Sequence, residues 1–329
     1  MIVPLSDYLS IHHADVRDLL PTIAAGSVDL VLTDPPFGIG QTDRTPGEPK
    51  FDHDSLAFSS AFWAGVRRTL GPGALVLSFT ATRTGHRVAT ALEDAGFTIL
   101  DQIVTLRGHG FPAGDVQVDG RHTRLRPAVE PIVVAANLAP GQTFGGSLRA
   151  GEAHAFDVDA VRIPTNEDRS RMPGKVRAEH AVRVQRRGHG RVDAHAAGRW
   201  PSNVVLEHEP RCTDSECAET CPATVVDEGG RQKYRAGRER ASRLFSQVRY
   251  APRATPGGHP TAKAESLATW LAELTVAPHM TILEPFAGGG SLALAAARRL
   301  AELGGGGRVI AVEKEVKYVD LMRSAISKV

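Results

Sequence analysis

Short apolar runs rich in β-branched residues alternate with amphipathic stretches at both ends of the chain. "SIHHAD" reads as a strand ending at Asp15, followed by a helical turn over Val16 to Leu20. "SVDLVLTD" has the length and turn-rich exit of a buried strand. "SSAFWAGVRRTL" has a helical period and is expected to stop at "GPG". The strand "ALVLSFT", the helix "RTGHRVATALEDAGF" and the strands "TILDQIVTL" and "EPIVVAAN" continue the alternation. Such a pattern predicts an α/β sheet with helices on its faces.

From about Gly141 to Pro256 the pattern dissolves into Gly, Pro and charge. Nine basic residues from Arg169 to Arg199 face only Glu179 and Asp193, and a second basic run extends from Arg231 to Arg253 with Glu239 as its lone acid. Periodicity returns in the helix "ESLATWLAELTV". It continues as strand, glycine loop, helix, strand and helix through "TILEPFAGGGSLALAAARRLAELGGGGRVIAVEKEVKYVDLM". Both ends, 1–140 and 256–329, are therefore expected to build one domain that holds an inserted region, 141–255.

Composition changes this picture little. A chain of 329 residues and 35.1 kDa can bury a full core, and a net charge of +2 says less than the clustering of its arginines. The first residues lack a basic leader followed by an apolar core, so no signal peptide is expected. The apolar runs fall short of the ~20 residues of a spanning helix. Three cysteines, all within Cys212 to Cys221, do not suit a disulfide framework, and a reducing, cytoplasmic setting is expected.

Two motifs carry candidate chemistry. The first strand of the C-terminal unit runs into "EPFAGGGS", whose glycines let a ligand approach a helix N-terminus. Glu284 at that point would repel a pyrophosphate. It suits a ligand with a cationic part, such as the ammonium and sulfonium of S-adenosylmethionine. Glu313, ending the next strand, is placed to accept ribose hydroxyls. Read alone, the same residues also fit a tight turn and a solvated acid.

The second motif is "TDPPF". At the carboxyl end of a parallel strand Asp34 would project into the ligand crevice. Pro35 and Pro36 stiffen the backbone, and Phe37 offers a flat face for a base. A carboxylate beside a fixed carbonyl makes two acceptors for the two hydrogens of an exocyclic amine. Gly38 and Gly40 let the chain turn away. Read alone, it also fits a proline turn with Asp34 as a cap.

Together the motifs resemble a family. "TDPPF" is similar to the D-P-P-Y/F motif of amino-directed DNA methyltransferases, and "EPFAGGGS" to their D-P-F-x-G-S-G-T motif. The order, catalytic motif first, is that of the permuted (β) class. "HADVRDLL", "RPAVEPIVVA", "GRWPSNVVL" and "HPTAKAESL" resemble further family blocks.

The resemblance implies a Rossmann-like, S-adenosylmethionine-dependent fold. Its sheet would be mixed, mostly parallel and seven-stranded, with helices on both faces, a circularly permuted motif order and an irregular inserted region. It implies that Asp34, Pro35, Pro36 and Phe37 bind and activate a flipped base. It implies that Glu284, Phe286, Gly288 and Gly290 line the cofactor, that Glu313 holds its ribose and that Asp15 reaches its adenine. Thr261 and Lys263 would lie near its methionine end. An acid opening D-P-P-F points to adenine N6 in double-stranded DNA; cytosine-N4 enzymes more often carry serine there. Glu284 in place of aspartate, Gly289 in place of serine, Ser291 in place of threonine and Ala264 in place of proline depart from the family pattern.

The arginine-rich runs fit phosphate neutralisation and base reading, and equally a solvated linker. His208, Cys212, Cys217 and Cys221 form a candidate zinc set of one nitrogen and three thiolates, or reduced surface cysteines without metal. Rival readings are a cytosine-N4 methyltransferase, an enzyme with an N-P-P-Y-type site acting on protein or RNA, a nicotinamide oxidoreductase, and a DNA-binding relative without catalysis. A homodimer is compatible with the family. The sequence names neither a restriction partner nor a recognition site.

Overall fold

The computed structural model describes residues 7–38, 55–108, 117–123, 125–165, 196–213, 216–230, 241–249 and 262–326. The strands are β1 (Leu9–His13), β2 (Val28–Thr33), β3 (Leu70–Phe79), β4 (Thr98–Arg107), β5 (Gln117–Val118), β6 (Arg121–His122), β7 (Val129–Ala136), β8 (Val204–His208), β9 (Ser246–Arg249), β10 (Thr281–Glu284) and β11 (Arg308–Glu313). The helices are α1 (Val16–Leu19), α2 (Ser60–Thr69), α3 (Gly85–Asp94), α4 (Phe144–Arg149), α5 (Pro222–Gly230), α6 (Glu265–Thr275), α7 (Ser291–Leu303) and α8 (Val316–Ile326).

All strands except β5 and β6 form one sheet, in the order β1-β11-β10-β2-β3-β7-β4-β8-β9. Only β7 runs against its neighbours β3 and β4; every other pairing in this sheet is parallel. The carboxyl ends of eight strands therefore lie along one edge. Chain order explains the permutation: β10 and β11, from the C-terminal segment, insert between β1 and β2 from the N-terminal one.

Among the described residues the sheet has nine strands, where seven are expected. The two extra strands, β8 and β9, extend the sheet beyond β4 and come from the stretch where the sequence pattern dissolves. They lie among Gly, Pro and charged residues, without the regular strand–helix alternation that marks the equally short β1 and β10. A smaller difference lies at "GPG". Helix α2 ends at Thr69 and the strand takes over at once, running through Gly71, Pro72 and Gly73. Gly73 has a positive φ of 72°, and its backbone N–H reaches the Asn137 carbonyl.

Helices cover both faces, as expected. Alternation along β2 sends Leu30 and Leu32 to one face, packed with Leu267 and Leu271 of α6 and Leu292 and Leu300 of α7. It sends Val31 to the other, with Phe62, Trp63 and Val66 of α2 and Val88 and Leu92 of α3. Ser59 caps α2 by accepting from the Phe62 N–H, and Trp63, fully buried, donates its indole N–H to the Ala57 carbonyl. Burying side chains of this size contributes about 1.5–3 kcal/mol each. Together they hold the carboxyl edge rigid.

Candidate active site

Four neighbouring strands each deliver an acid to that edge: Asp15 after β1, Glu313 on β11, Glu284 on β10 and Asp34 after β2. All four line one pocket, together with Pro35, Pro36, Phe37, Lys263, Phe286 and Gly288. Thr261 and Gly40 lie outside the described residues. So do most of the first basic run and residues 231–240 and 250–253 of the second.

At the centre, Glu284 is 2% exposed. Its Oε1 accepts from the Thr33 hydroxyl at 3.0 Å, which ties the ends of β10 and β2 together. Its Oε2 is buried without a hydrogen bond. Burial pushes the Glu284 carboxyl well above the usual carboxylate range; the Thr33 hydroxyl opposes that rise and Asp34 adds to it. A buried acid with one orphaned oxygen is a strong acceptor waiting for a cation or donor.

The glycine loop wraps around this acid. Gly290 caps α7 with φ 86°, and a Cβ there would come within 2.4 Å of Met322 Cγ. The Gly288 N–H donates to Glu313 Oε2 and the Glu315 N–H to Glu313 Oε1, both at 2.8 Å. Glu313 thus shapes the loop, and each oxygen keeps a second lone pair for a hydroxyl. Burial raises its pKa, opposed by those two N–H groups. Phe286 packs against Phe62, ring centroids 5.4 Å apart. Asp15 caps α1 through the Arg17 N–H and pairs with the Arg17 side chain at 2.6 Å. The hydrogen bond from Arg17 holds its carboxyl below the ordinary value.

On the other side of Glu284, the proline-rich turn starts at Asp34. Pro35 is buried, while Pro36 and Phe37 are half-buried. The Thr84 hydroxyl donates to the Phe37 carbonyl at 2.9 Å, pinning the end of the turn. Gly38, at φ 60°, lies where a Cβ would strike the Phe58 ring.

Behind Asp34 lies a set of charges that the motifs did not reveal. The Lys263 ammonium, 4% exposed, sits 2.8 Å from both Asp34 Oδ2 and Glu130 Oε1. It also lies 5.1 Å from the centre of the Phe37 ring. Glu130 Oε2 holds Arg107 at 3.0 Å, and Arg107 reaches Glu207 Oε2 at 2.6 Å. The signs alternate from Asp34 to Glu207 along the carboxyl edge, through β7, β4 and β8.

Burial raises Asp34 to about 6; the Lys263 ammonium opposes the rise and Glu130 adds to it. Burial works against the charge on Lys263, yet Asp34 and Glu130 together outweigh it and hold the ammonium above its ordinary pKa. Asp34 Oδ1, buried, has no hydrogen bond. The site therefore presents two orphaned acceptors, Asp34 Oδ1 and Glu284 Oε2, at the ends of adjacent strands.

The family model described as DNA methylase, of the N6/N4 type, matches residues 28–324. The chain belongs to that family. Three solved structures resemble this DNA methylase. The PvuII DNA methyltransferase, described as cytosine-N4-specific, matches with a TM-score of 0.55 and 14% identity, over 98% of this chain and 90% of that one; at that identity the likeness concerns the fold. M1.HpyAVI in complex with SAM gives 0.47 and 16% over 96% and 99%. A putative DNA modification methylase from Thermus thermophilus in complex with S-adenosyl-L-methionine gives 0.45 and 17% over 98% and 95%.

Sequence reasoning placed Asp34, Phe37, Glu284 and Glu313 at the pocket, and the fold brings them together. Lys263, expected near the methionine end of the cofactor, lines the same pocket, and its ammonium in addition bonds Asp34 and Glu130. Sequence reasoning did not single out Glu130, Arg107 or Glu207. The signal for Glu130 was there: a lone acid entering the apolar run "EPIVVAA". Among the described residues no helix is long and apolar enough to cross a membrane.

Proposed function

We propose that this DNA methylase family member is site-specific, transferring a methyl group from S-adenosylmethionine to the N6 amine of an adenine flipped out of double-stranded DNA. The observation that carries the reading is the pair of orphaned buried oxygens, Asp34 Oδ1 and Glu284 Oε2, on adjacent strand ends of one pocket.

Glu284 fits the cationic methionine end of the cofactor, Glu313 its ribose, and the glycine loop its approach to the backbone. When bound, the cofactor supplies a methyl group made electrophilic by its sulfonium. The chain's own residues act on the base. Asp34 Oδ1 and the Pro35 carbonyl accept the two amine hydrogens. This favours the pyramidal form, in which the nitrogen lone pair is no longer delocalised into the ring. Phe37 stacks the extruded base and recovers part of the few kcal/mol spent on flipping. Lys263 fixes the Asp34 carboxylate by its other oxygen, so Oδ1 faces the amine in one orientation. At neutral pH Asp34 is mainly ionised, and its Oδ1 is placed to take up an amine proton before water removes it.

Within residues 141–255, strands β8 and β9 belong to the main sheet, and it is the arginine-rich runs of this region that are assigned to DNA reading, through phosphates and guanine edges. An acid at position 34 favours adenine over cytosine N4. Nucleoside mass spectrometry of duplex DNA treated with protein and labelled cofactor tests the target: N6-methyladenine is expected, and N4-methylcytosine alone would overturn the choice. Asp34→Ala tests the site, because unchanged methylation would remove Asp34 from the mechanism.

A further inference from the structure

We infer that His208, Cys212, Cys217 and Cys221 bind one zinc ion as a closed, four-coordinate structural site. The ligand atoms of these four residues lie within 4.8 Å of one another. Cys217 Sγ and Cys221 Sγ are each 3.4 Å from His208 Nδ1. A tetrahedral zinc ion with Zn–S of ~2.3 Å and Zn–N of ~2.0 Å sets its sulfur and nitrogen ligands about 3.5 Å apart and its sulfurs about 3.8 Å apart. The two sulfur–nitrogen separations match that shell, and the 4.8 Å bound on the others leaves each within about 1 Å of it. Nδ1 of a neutral ring offers a single lone pair, and two sulfurs equidistant from it suit a shared ion better than two competing S–H bonds. A polynuclear iron–sulfur cluster distributes its protein ligands over two or more irons, which requires a wider spread of ligands.

The surroundings of the four residues make a second, independent argument. The Gln247 Nε2 amide donates to the Ser242 carbonyl at 2.9 Å, which fixes the orientation of its side chain. Its oxygen therefore faces His208 Nε2, at 3.0 Å. That nitrogen must carry the proton, so Nδ1 presents its lone pair to the cysteines. A metal-binding histidine is oriented in this way by its outer partner. The Ala218 N–H points at Cys212 Sγ at 3.3 Å, as suits a thiolate acceptor. Cys221 is fully buried and immediately precedes α5, where its carbonyl accepts from the Val225 N–H.

The fold also gives the ion a purpose. The apolar cluster around these residues has only Leu206, Cys221 and Ala223 at its buried centre, too little to hold β8, its following loop and α5 together by burial alone. None of the four lines the acid-rich pocket. An ion with four protein ligands leaves no position open for substrate, which marks the site as structural. His208 directly follows Glu207, so the ion anchors the strand end that holds Arg107 and thereby the row of charges leading to Asp34. The inference is independent of what the pocket binds.

Elemental analysis of the full chain, purified under reducing conditions without chelator, is expected to give about one zinc per chain. Replacement by Co²⁺ is expected to give the visible absorption of tetrahedral cobalt with strong thiolate charge-transfer bands. Cys212→Ser and Cys217→Ser are expected to lose most of the metal, whereas Glu219→Gln, an exposed acid in the same loop, keeps it. Because the first two measurements use the unaltered chain, a variant that fails to fold does not decide the outcome. A chain that carries no zinc, takes up no cobalt into thiolate ligation, and titrates three cysteines equally fast with and without added zinc would overturn the inference. So would retention of stoichiometric zinc by both serine variants.

Discussion

Lys263→Met isolates the electrostatic role of the buried ammonium, because methionine keeps much of the chain's length and removes the charge. In the native protein the ammonium is 2.8 Å from both Asp34 and Glu130, with side-chain exposures of 4%, 17% and 2% respectively. Screening by solvent is therefore slight. Removing one partner of a buried ion pair costs about 3–5 kcal/mol, since the remaining charge is left uncompensated. Here two carboxylates are left facing each other, and the chain is expected to relieve part of the cost by binding a proton.

Asp34 titrates at about 6. Losing an opposite charge at this range moves a carboxyl upward by about 1–3 units, which places Asp34 at roughly 7–9. At pH 7 about half to one hundredth of it would then be ionised, a two- to hundredfold loss of rate. The assay is methyl transfer from labelled cofactor to duplex DNA at saturating cofactor, between pH 5.5 and 9.5. The acid limb of kcat/KM is expected to move to higher pH, with activity recovering as pH rises. The destabilisation, read by urea unfolding, should be smallest at acid pH, where the folded variant holds the extra proton; it should grow as pH rises from about 6 to the shifted pKa and level off above it. An equal loss of rate at every pH, with an unmoved acid limb and a folded chain, would refute the reasoning. It would return Lys263 to the cofactor.

Asp34→Asn keeps the shape of the turn but removes the carboxylate, and methylation is expected to fall by at least ~10²-fold, with cofactor affinity, read by calorimetry, nearly unchanged. Glu284→Gln is expected to weaken cofactor binding by roughly 10- to 100-fold, the worth of a charge-assisted hydrogen bond. In the native protein Glu284 must be ionised to hold a cation, and its pKa is raised by burial. Cofactor binding should therefore release a proton and weaken as pH falls through that raised value, seen as a buffer-dependent binding enthalpy. The same raised pKa means that the cofactor-free fold binds a proton the unfolded chain does not. Glu284 thus opposes folding at high pH, and this cost should disappear as pH falls toward the ordinary carboxylate range. Gly290→Ala forces a side chain onto φ 86° and against Met322; it is expected to cost about 1–2 kcal/mol for the backbone alone and more from the clash, read as a lower Tm.

The alternating apolar runs determined by themselves that the chain forms an α/β sheet, because a two-sided sheet needs continuous β-branched strands and one-sided helices. The acids Asp34, Glu284 and Glu313 were legible for a related reason: each ends an apolar run, and strand ends in such sheets meet at one edge. The order of the two motifs likewise announced the permutation. Strands β8 and β9 were not legible, since no alternation of strands with amphipathic helices surrounds them, whereas the equally short β1 and β10 sit within such an alternation.

The tertiary structure alone decided that the Lys263 ammonium bonds Asp34, and that Glu130, Arg107 and Glu207 follow it. These five residues come from five separate segments, and no local spacing relates them. Their proximity depends on β7 running antiparallel between β3 and β4 and on β8 docking beside β4. The cysteine cluster lies between these cases. Its residue types and short spacing suggested a metal set, but only the fold turned His208 Nδ1 toward the thiols by holding its other nitrogen against Gln247. Short-range pattern reports what each segment must bury. Which charges then share that buried space is set by strand order, a long-range property fixed only when the chain closes into its sheet.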